Sequence, residues 1–361
     1  MTCRDSLRAC PLARKVAAGC IDGTHAQGTR RFNDIPFRGS HMRISLRQFL
    51  GSLVLATTSL VAFAADAPST DASWYPSRYG AEDTLGAINN LSPEKVLQAA
   101  RLVRTGKTYS LGVDTGPASP AYPPRSYSIT VLQPGDGTGT LMGSNQASGN
   151  DDLLHTWMGI GSQLDGLGHM GDRHRYYNGN RAQDFVTAKG LLKFGTHAIP
   201  PIVTRGVLID MAKHLGQNPL PAGRAFSRAE VEAAARAQGV SIGKGDVVLF
   251  HTGWQNLSGK DNVTFMSGEP GIGVEAARWL AGLGVVAIGS DTWALEAVPH
   301  EDPTQAFPVH VELLAHNGVY ILENMDTRAL AADAAYEFLF VLGQPKFVGA
   351  VQAVINPVAI R

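Results

Sequence analysis

The sequence predicts a single α/β domain, and three observations support this fold class. Apolar β-type runs alternate with amphipathic helical patterns from residue 75 to residue 361. That span contains no break in composition, no internal repeat and no low-complexity tract. Its length is large for one core but within the usual range of a single domain. We therefore predict one domain over residues 75–361 in which strands and helices are mixed.

Two predicted helices carry clear start signals. Ser92 suits an N-cap and Pro93 suits the first helical position, while Gly106 suits the end of that helix. Ser227 and Glu230 have the spacing of a capping box. Further helical patterns cover residues 227–237, 274–283 and 309–317.

The predicted strands are short apolar runs. The runs at 246–251 and 285–289 have apolar interiors, which is typical of strands buried on both faces of a parallel sheet. His251 ends the first of these runs and either lines a pocket or packs in the core. Residues 135–150 are rich in Gly, Ser and Asp and predict a long loop over a site. The other predicted strands are 108–113, 128–132, 206–211 and 319–322.

The first 64 residues show no pattern of a folded core. Residues 42–64 combine Arg43 and Arg47 with an apolar run and the small-x-small site Ala62-Phe-Ala64, which predicts a secretory signal peptide. The run is shorter than the roughly 20 residues that a spanning helix needs. Residues 1–41 are interpreted as an upstream extension and 65–74 as a linker. We expect a periplasmic or secreted protein.

Cysteine usage and charge narrow the function classes. All three cysteines precede the predicted cleavage site, so the mature chain cannot use a disulfide, a thiolate nucleophile or a Cys-ligated zinc. Without nine basic and three acidic residues of the first 64, the chain has 22 basic and 28 acidic residues, a net charge of −6. This charge argues against nucleic acid or an anionic membrane as partner. A small-molecule substrate is expected.

The segment SQLDGLGH at 162–169 places an amide, a carboxylate and an imidazole close together. Asp165 and His169 fit a cluster that holds a divalent metal and handles a proton. A turn role for Asp165 and a packed role for His169 are the plainer alternatives. The glycines at 166, 168 and 171 spell GxGxxG, but a turn-rich segment follows instead of a helix, which argues against dinucleotide binding. We expect these glycines to let the backbone bend so that Asp165 and His169 converge.

Three more side chains are candidates for the same cluster. Gln163 lies two residues before Asp165, so in an extended segment both face one side, and it is either a weak oxygen ligand or a hydrogen-bond partner of a loop. Glu323 ends an apolar run and needs a buried partner, either a metal or His169. His310 opens a helical pattern, and His316 is interpreted as a helix C-terminal histidine and not a ligand.

At these residues the chain resembles the metal-dependent cyclase/hydrolase family that includes bacterial kynurenine formamidase and isatin hydrolase. The family motif HxGTHxDxPxH aligns with residues 159–169, where Asp165 and His169 match and Gln163 replaces the second histidine. Gly159 replaces the first histidine, so this is a divergent branch. Further similar segments are LGAINN at 85–90, the turn at 177–179, GDVVLFHTGW at 245–254, GSDT at 289–292 and the block at 310–324.

The resemblance implies roles for these residues. Asp165, His310 and Glu323 become metal ligands, Gln163 becomes a substitute ligand, and His169 becomes the proton handler. The loss of two histidines favours one metal ion, zinc or manganese. The implied fold is a compact β-barrel-like sheet flanked by helices, the swivelling β/β/α type, in a homo-oligomer.

The sequence therefore predicts an exported metal-dependent hydrolase. Its substrate would be a small molecule with an amide, lactone or cyclic imide-like bond, cleaved by a metal-activated water. No membrane association is expected after signal cleavage. The alternative is a non-catalytic member of the same fold that binds a small molecule.

Overall fold

The computed structural model describes residues 74–132, 139 and 141–361. The predicted extension (1–41), the predicted signal peptide (42–64) and nearly all of the predicted linker lie outside the described residues, so these three assignments stay predictions. Of the helices that are described, none has the length and apolar character needed to cross a membrane.

The helices and strands follow one another along the whole described chain. The helices are α1 (Pro93–Ala100), α2 (Ala182–Phe185), α3 (Met211–Leu215), α4 (Arg228–Gln238), α5 (Asn262–Ser267), α6 (Val274–Leu283), α7 (Pro308–His310), continued by a π-helix (Val311–Asn317), and α8 (Arg328–Ala332). The strands are β1 (Thr108–Ser110), β2 (Tyr127–Val131), β3 (Asp152–Thr156), β4 (Gln163–Asp165), β5 (Arg175–Tyr176), β6 (Asn180–Arg181), β7 (Val186–Thr187), β8 (Gly190–Leu191), β9 (Ile202–Asp210), β10 (Ala225–Phe226), β11 (Val247–His251), β12 (Gly271–Ile272), β13 (Ala287–Ser290), β14 (Tyr320–Glu323), β15 (Glu337–Leu342), β16 (Gln352–Val354) and β17 (Val358–Ile360).

A curled, mixed sheet forms the centre of the fold. Its order is β1-β17-β15-β9-β11-β13-β14-β4-β16, and helices flank it. The four strands β9, β11, β13 and β14 are parallel, and the strands on either side pair antiparallel. The half-barrel shape and the mixed sheet confirm the predicted fold class.

The parallel strands place their carboxyl ends at one edge of the sheet. Asp210 pairs in register with His251, and Phe250 with Ser290. All residues of β11, β13 and β14 are buried, because both faces of the sheet are covered. Polar residues that end these strands therefore converge at a common edge, and Glu323, which ends β14, is one of them.

Most predicted helices are confirmed, with differences at their ends. Ser92 Oγ accepts a hydrogen bond from the Lys95 amide at 3.3 Å, as an N-cap should. The helix stops at Ala100 and does not reach Gly106, and Val103, beyond its end, is 39% exposed. The Ser227 capping box and the bounds of α6 are as predicted.

The region from 309 to 317 differs from the predicted single helix. α7 ends at His310 and a π-helix continues from there. π-Helical turns are rare, and they occur disproportionately at functional sites. The change in helix type falls on a candidate ligand.

Strands β2 and β3 form a separate antiparallel hairpin. The sequence predicted β2 at 128–132 but not β3, because its residues lie next to the predicted loop. Residues 141–150 belong to the connection between the two strands, while 133–138 and 140 lie outside the described residues. Whether the loop covers a site stays a prediction.

Candidate metal centre

Strands β4 and β14 bring three predicted site residues together. Glu323 pairs with Gln163 and Ile321 pairs with Asp165 across these strands. Gln163 and Asp165 are two residues apart on β4, so their side chains leave the same face, as the spacing predicts. All three are nearly or fully buried. These three candidate ligands thus lie on paired, buried strands of the central sheet.

Two histidines approach this face from loops and a helix end. Asp165 Oδ2 lies 3.6 Å from His310 Nε2 and 3.9 Å from His169 Nε2. His310 Nε2 also lies 3.1 Å from Glu323 Oε1. Gln163 Nε2 donates to Glu323 Oε2 at 2.6 Å. We call these five residues the metal cluster.

Glu296 orients His310. One of its oxygens accepts hydrogen bonds from His310 Nδ1 at 2.7 Å and from the His310 amide at 3.0 Å, and the other accepts from the Val309 amide at 3.1 Å. A carboxylate on Nδ1 fixes the ring so that Nε2 faces Asp165 and Glu323. This carboxylate–histidine pairing is the usual outer support of a metal-binding histidine.

Two buried acceptor atoms in the cluster have no hydrogen-bond partner within the described structure. Asp165 Oδ1 accepts from Gln352 Nε2 at 2.7 Å, but Asp165 Oδ2 is buried and has no hydrogen-bond partner among the described residues. The same holds for Gln163 Oε1. Because buried acceptors are normally satisfied, two unpaired oxygens beside two imidazoles indicate a site that a cation fits.

The spacing of the atoms agrees with one shared ion. Asp165, His169 and His310 each offer an atom within 4.8 Å of the other two. Zinc binds oxygen and nitrogen at about 2.0–2.2 Å, so atoms 3.6 and 3.9 Å apart can share an ion. His169 is therefore placed where a ligand or a proton handler could lie, and its predicted role as proton handler stays a prediction.

Charge is densely packed around His310. Burial alone would raise the pKa of Asp165, but the charge of His169 and the contacts with His310 and Gln352 outweigh it and lower that pKa to about 2. Burial and the charge of Asp165 raise the pKa of Glu323 to about 7, against the opposing effect of His310. Burial lowers the pKa of His310, but the nearby carboxylates of Asp165, Glu296 and Glu323 raise it well above its usual value. The carboxylates of the cluster therefore favour a bound positive charge, such as a metal cation.

His169 differs from His310 in exposure and in charge. Its side chain is 19% exposed, whereas that of His310 is 4% exposed. Burial lowers the pKa of His169, Asp165 opposes this, and the charges of His310 and Arg125 add to the lowering. A partly exposed imidazole with a lowered pKa, next to the buried ligands, is suited to accept and release a proton.

Three residues in the left-handed region flank the site. Leu295 (φ 63°) precedes Glu296, Phe307 (φ 49°) precedes the turn that carries His310, and Asn324 (φ 53°) follows Glu323. Bulky residues such as Leu and Phe rarely adopt positive φ. Such conformations persist where the surroundings impose them, and they concentrate at functional sites.

The glycines of residues 166–171 have a different role from the predicted one. Asp165 and His169 do converge, but Gly166 and Gly168 do not have positive φ. A Cβ at Gly166 would lie 2.7 Å from Val351 O, and one at Gly168 would lie 2.5 Å from Leu191 Cδ1. Close packing requires these glycines, and the residues up to Gly171 form turns and not the start of a helix.

Four residues near the cluster were not predicted. Glu296 sits in an apolar run, which is a weak signal for a buried carboxylate. Gln352 contacts Asp165 only because β16 pairs with β4. Glu269 is fully buried, and burial followed by the charge of Glu323 raises its pKa well above normal. Arg125 acts on His169 from a loop that gave no signal.

His251 and His316 lie outside the cluster. His251 lines a cavity of about 530 Å³ with Asp210, Lys213, Asn218 and Arg328, which we call the His251 cavity. His316 is in the last turn of the π-helix, stacks on Trp74 and lies 3.4 Å from Asp172 Oδ2. The predicted helix C-terminal position of His316 is confirmed, and His251 lines a pocket.

The fold and the cluster define an α/β protein with a candidate metal site at the carboxyl edge of its parallel strands. The family model "Cyclase" matches residues 99–297, more than half of the 361 residues. A protein whose solved structure is described as a novel cyclase is 30% identical in sequence to this chain. The two structures align with a TM-score of 0.71, over 78% of this chain and 98% of that one. The chain belongs to the cyclase family.

More distant solved structures share the fold. An isatin hydrolase bound to the product analogue thioisatinate is 16% identical with a TM-score of 0.52, over 74% of this chain and 98% of that one. Isatin hydrolase A from Ralstonia solanacearum is 18% identical with a TM-score of 0.55, over 75% and 98%. A search of curated proteins found no match.

Proposed function

We propose that this chain is a metal-dependent hydrolase that cleaves an amide, lactone or cyclic imide-like bond of a small molecule. The observation that carries the proposal is the buried, unpaired Asp165 Oδ2 between the Nε2 atoms of His169 and His310. Membership of the cyclase family agrees with it. The isatin hydrolases support the proposal only through the fold that they share with this chain.

Asp165, His310 and Glu323 would hold the ion, with the Gln163 oxygen as a weaker fourth donor. Imidazole and carboxylate donors suit zinc and manganese, and we propose one of these two. When bound, such an ion lowers the pKa of a water molecule toward neutrality and polarises a carbonyl group.

The chain's own side chains would then orient groups and move protons. Glu296 holds His310 through Nδ1, and Gln352 holds Asp165 through Oδ1, so both ligands keep their direction. His169 Nε2 would take a proton from the attacking water and return it to the leaving group. Its partial exposure gives that proton a route to solvent.

Elemental analysis together with a substrate screen tests this proposal. The purified protein, with added Zn²⁺ or Mn²⁺, is assayed against formamides, lactones and isatin-like rings. Near-stoichiometric metal and turnover of one of these classes support a hydrolase. Persistent absence of metal and of turnover would instead favour the alternative, a non-catalytic member of the fold that binds a small molecule.

We also propose export through the predicted signal peptide. Arg43, Arg47, the apolar run and the site at Ala62-Phe-Ala64 support it. Mass spectrometry of the periplasmic fraction should show an N-terminus near Ala65. Recovery of the intact first 64 residues from that fraction would contradict the proposal.

The β2–β3 hairpin supports the proposal of a homo-oligomer. Ile129, Val131, Leu153 and Leu154 are each about half exposed or more. A two-stranded hairpin alone is marginally stable in water, so a second copy packed on these side chains would stabilise it. Light scattering should show an oligomer, and Leu154→Asp should lower the mass. A monomeric wild-type chain would rule the proposal out.

A further inference from the structure

Arg125 is a cation near the metal cluster. None of the roles proposed above involves it. It lies in the loop before β2, and its Nη1 donates to Gly159 O at 2.5 Å. Among residues 74–132 and 141–361, no carboxylate lies within ion-pair distance of its guanidinium, as the ion pairs of the described chain show. Within the described part of the chain, no carboxylate neutralises its charge.

Gly159 creates the space in which this guanidinium lies. A Cβ at position 159 would be 2.5 Å from Arg125 Nη1 and 2.7 Å from its Cζ. Gly159 does not have positive φ, so its backbone conformation does not require glycine. Any side chain at 159 would displace the guanidinium.

The guanidinium acts on the reactive side of the cluster. Its charge contributes, after burial, to the lowered pKa of His169, and it opposes the effect of burial on Glu323. These are the more exposed histidine and the carboxylate that binds His310. Arg125 itself is partly exposed. The backbone also places Arg125 near the cluster, because it is bonded to Gly159, four residues before Gln163. Gly161 O accepts a hydrogen bond at 3.1 Å from Asn324 Nδ2, next to Glu323.

Aromatic side chains lie close to Arg125 in the chain and in space. Tyr122 precedes Arg125 by three residues and packs on Trp293, with ring centroids 5.9 Å apart. Trp293 lies three residues before Glu296, which accepts a hydrogen bond from His310 Nδ1 at 2.7 Å, so this pair also lies near the cluster. Trp157, two residues before Gly159, is 50% exposed.

We propose that Arg125 binds a carboxylate of the substrate, so that this site prefers amides, lactones or imides that carry a carboxylate on an aromatic or similar ring. The inference rests on the proposed hydrolase function. A planar guanidinium matches a carboxylate with two parallel hydrogen bonds. Arg125 has one donor committed to Gly159 and no carboxylate partner among the described residues, so it can still provide both.

The test compares two substrates that differ only in a carboxylate. Formanilide and its ortho-carboxylate derivative are assayed with the metal-loaded full chain, and benzoate binding is measured by calorimetry, with benzamide as the neutral probe. In Arg125→Gln, kcat/KM for the carboxylate substrate and the affinity for benzoate should fall about 10–100-fold, as expected for a lost charge-assisted hydrogen bond. The values for formanilide and benzamide should hardly change.

Three further variants separate recognition from folding. Gly159→Ala should reduce carboxylate selectivity while the protein stays folded, because the flexible end of Arg125 can move away. Arg125→Lys should keep part of the selectivity. Arg101→Gln removes an exposed arginine after α1 and should change nothing.

Each result distinguishes this proposal from the proposed function. If wild-type turns over the substrates and Arg125→Gln keeps the wild-type selectivity, Arg125 is not the carboxylate site and the hydrolase stands. If neither substrate reacts, the calorimetric measurement of benzoate binding tests the carboxylate site alone. Loss of benzoate binding in Arg125→Gln then supports the site. Equal benzoate binding by both proteins, or none by wild-type, overturns it.

Discussion

The metal cluster and the His251 cavity lie at the same carboxyl edge of the parallel strands, and each contains a buried histidine beside a buried aspartate. In the cavity, His251 Nδ1 lies 2.7 Å from Thr327 Oγ1 and 3.3 Å from Asp291 Oδ2. Asp291 accepts hydrogen bonds from the Thr252 amide, the Thr252 hydroxyl and the Gly253 amide at 2.6–2.8 Å. Both of its oxygens are satisfied.

The cluster has the opposite arrangement. Asp165 Oδ2 and Gln163 Oε1 have no hydrogen bond within the part of the chain that the structure describes, although both are buried. Leaving a buried acceptor unpaired costs free energy, so natural proteins rarely retain one without a reason. A histidine beside a carboxylate is therefore not sufficient evidence of a metal site. Unpaired acceptors that converge with imidazoles are the stronger sign.

The largest expected effect comes from Asp165→Asn. The amide keeps the side-chain volume but removes the anionic metal donor. Loss of a residue that only supports a ligand lowers metal affinity roughly 10–100-fold, so loss of the ligand itself should lower it by more. Activity should fall to background. Metal content by mass spectrometry and activity on the same sample check this, with the exposed Asp151→Asn as control. Full metal and full turnover in Asp165→Asn would show that the cluster is not the site.

His169→Ala separates a ligand from a proton handler. If His169 only moves a proton, the variant should keep its metal and lose roughly 10²–10⁴-fold in rate. Metal content and kcat are measured together, with His155→Ala on the exposed strand β3 as control. Loss of the metal would make His169 a ligand, and an unchanged rate with lower thermal stability would make it structural.

Glu296→Gln tests the outer support of His310. The amide can still accept from the His310 ring but loses the negative charge, so metal affinity should fall about 10–100-fold while the fold persists. Competition with a chelator measures the affinity. Glu82→Gln, at an exposed position, is the matched control. An unchanged affinity would mean that Glu296 serves only to cap the turn at Val309.

Asp291→Asn tests whether the aspartate beside His251 serves stability and not metal binding. The NH₂ group of the new side chain would face a backbone N–H that now donates to Asp291, so one hydrogen bond would be lost. The free energy of unfolding should therefore fall by about 1–3 kcal/mol. Metal content should not change. Urea denaturation and elemental analysis measure the two quantities. A loss of metal in this variant would mean that the two regions are not independent.

The smallest expected effect is a pH dependence of the stability that His251 provides. Burial lowers the pKa of His251, but the hydrogen bond and charge of Asp291, with the charges of Asp210 and Asp326, raise it above its usual 6.5. A folded-state pKa above the unfolded one means that protonated His251 stabilises the fold. That contribution is fully present below pH 6.5 and is lost as the pH rises through the higher folded pKa.

Urea denaturation of wild-type and His251→Gln on both sides of that range measures the effect. The wild-type advantage in free energy of unfolding should be larger at the lower pH and should shrink at the higher pH. His214→Gln, at an exposed position on α3, should show no such trend. A wild-type advantage that grows with pH would reverse the assigned sign.

The sequence by itself determined the helices with strong caps, the buried parallel strands and the core of the site. Ser92, Ser227 and the apolar runs at β11 and β13 act through local rules of capping and burial, which neighbouring residues are sufficient to define. The spacing of Gln163 and Asp165 fixed a common face, because side chains alternate along a strand. The candidate pairing of Asp165 with His169 also followed from spacing.

Only the tertiary structure decided which groups complete the site. Gln352 reaches Asp165 through the pairing of β16 with β4, and Glu296 reaches His310 through a loop that holds Leu295 at positive φ. Arg125 depends on the empty space at Gly159. These contacts join segments distant in the chain, and their energies come from burial and unpaired charge. Such quantities exist only once the chain has folded, so no local pattern could reveal them.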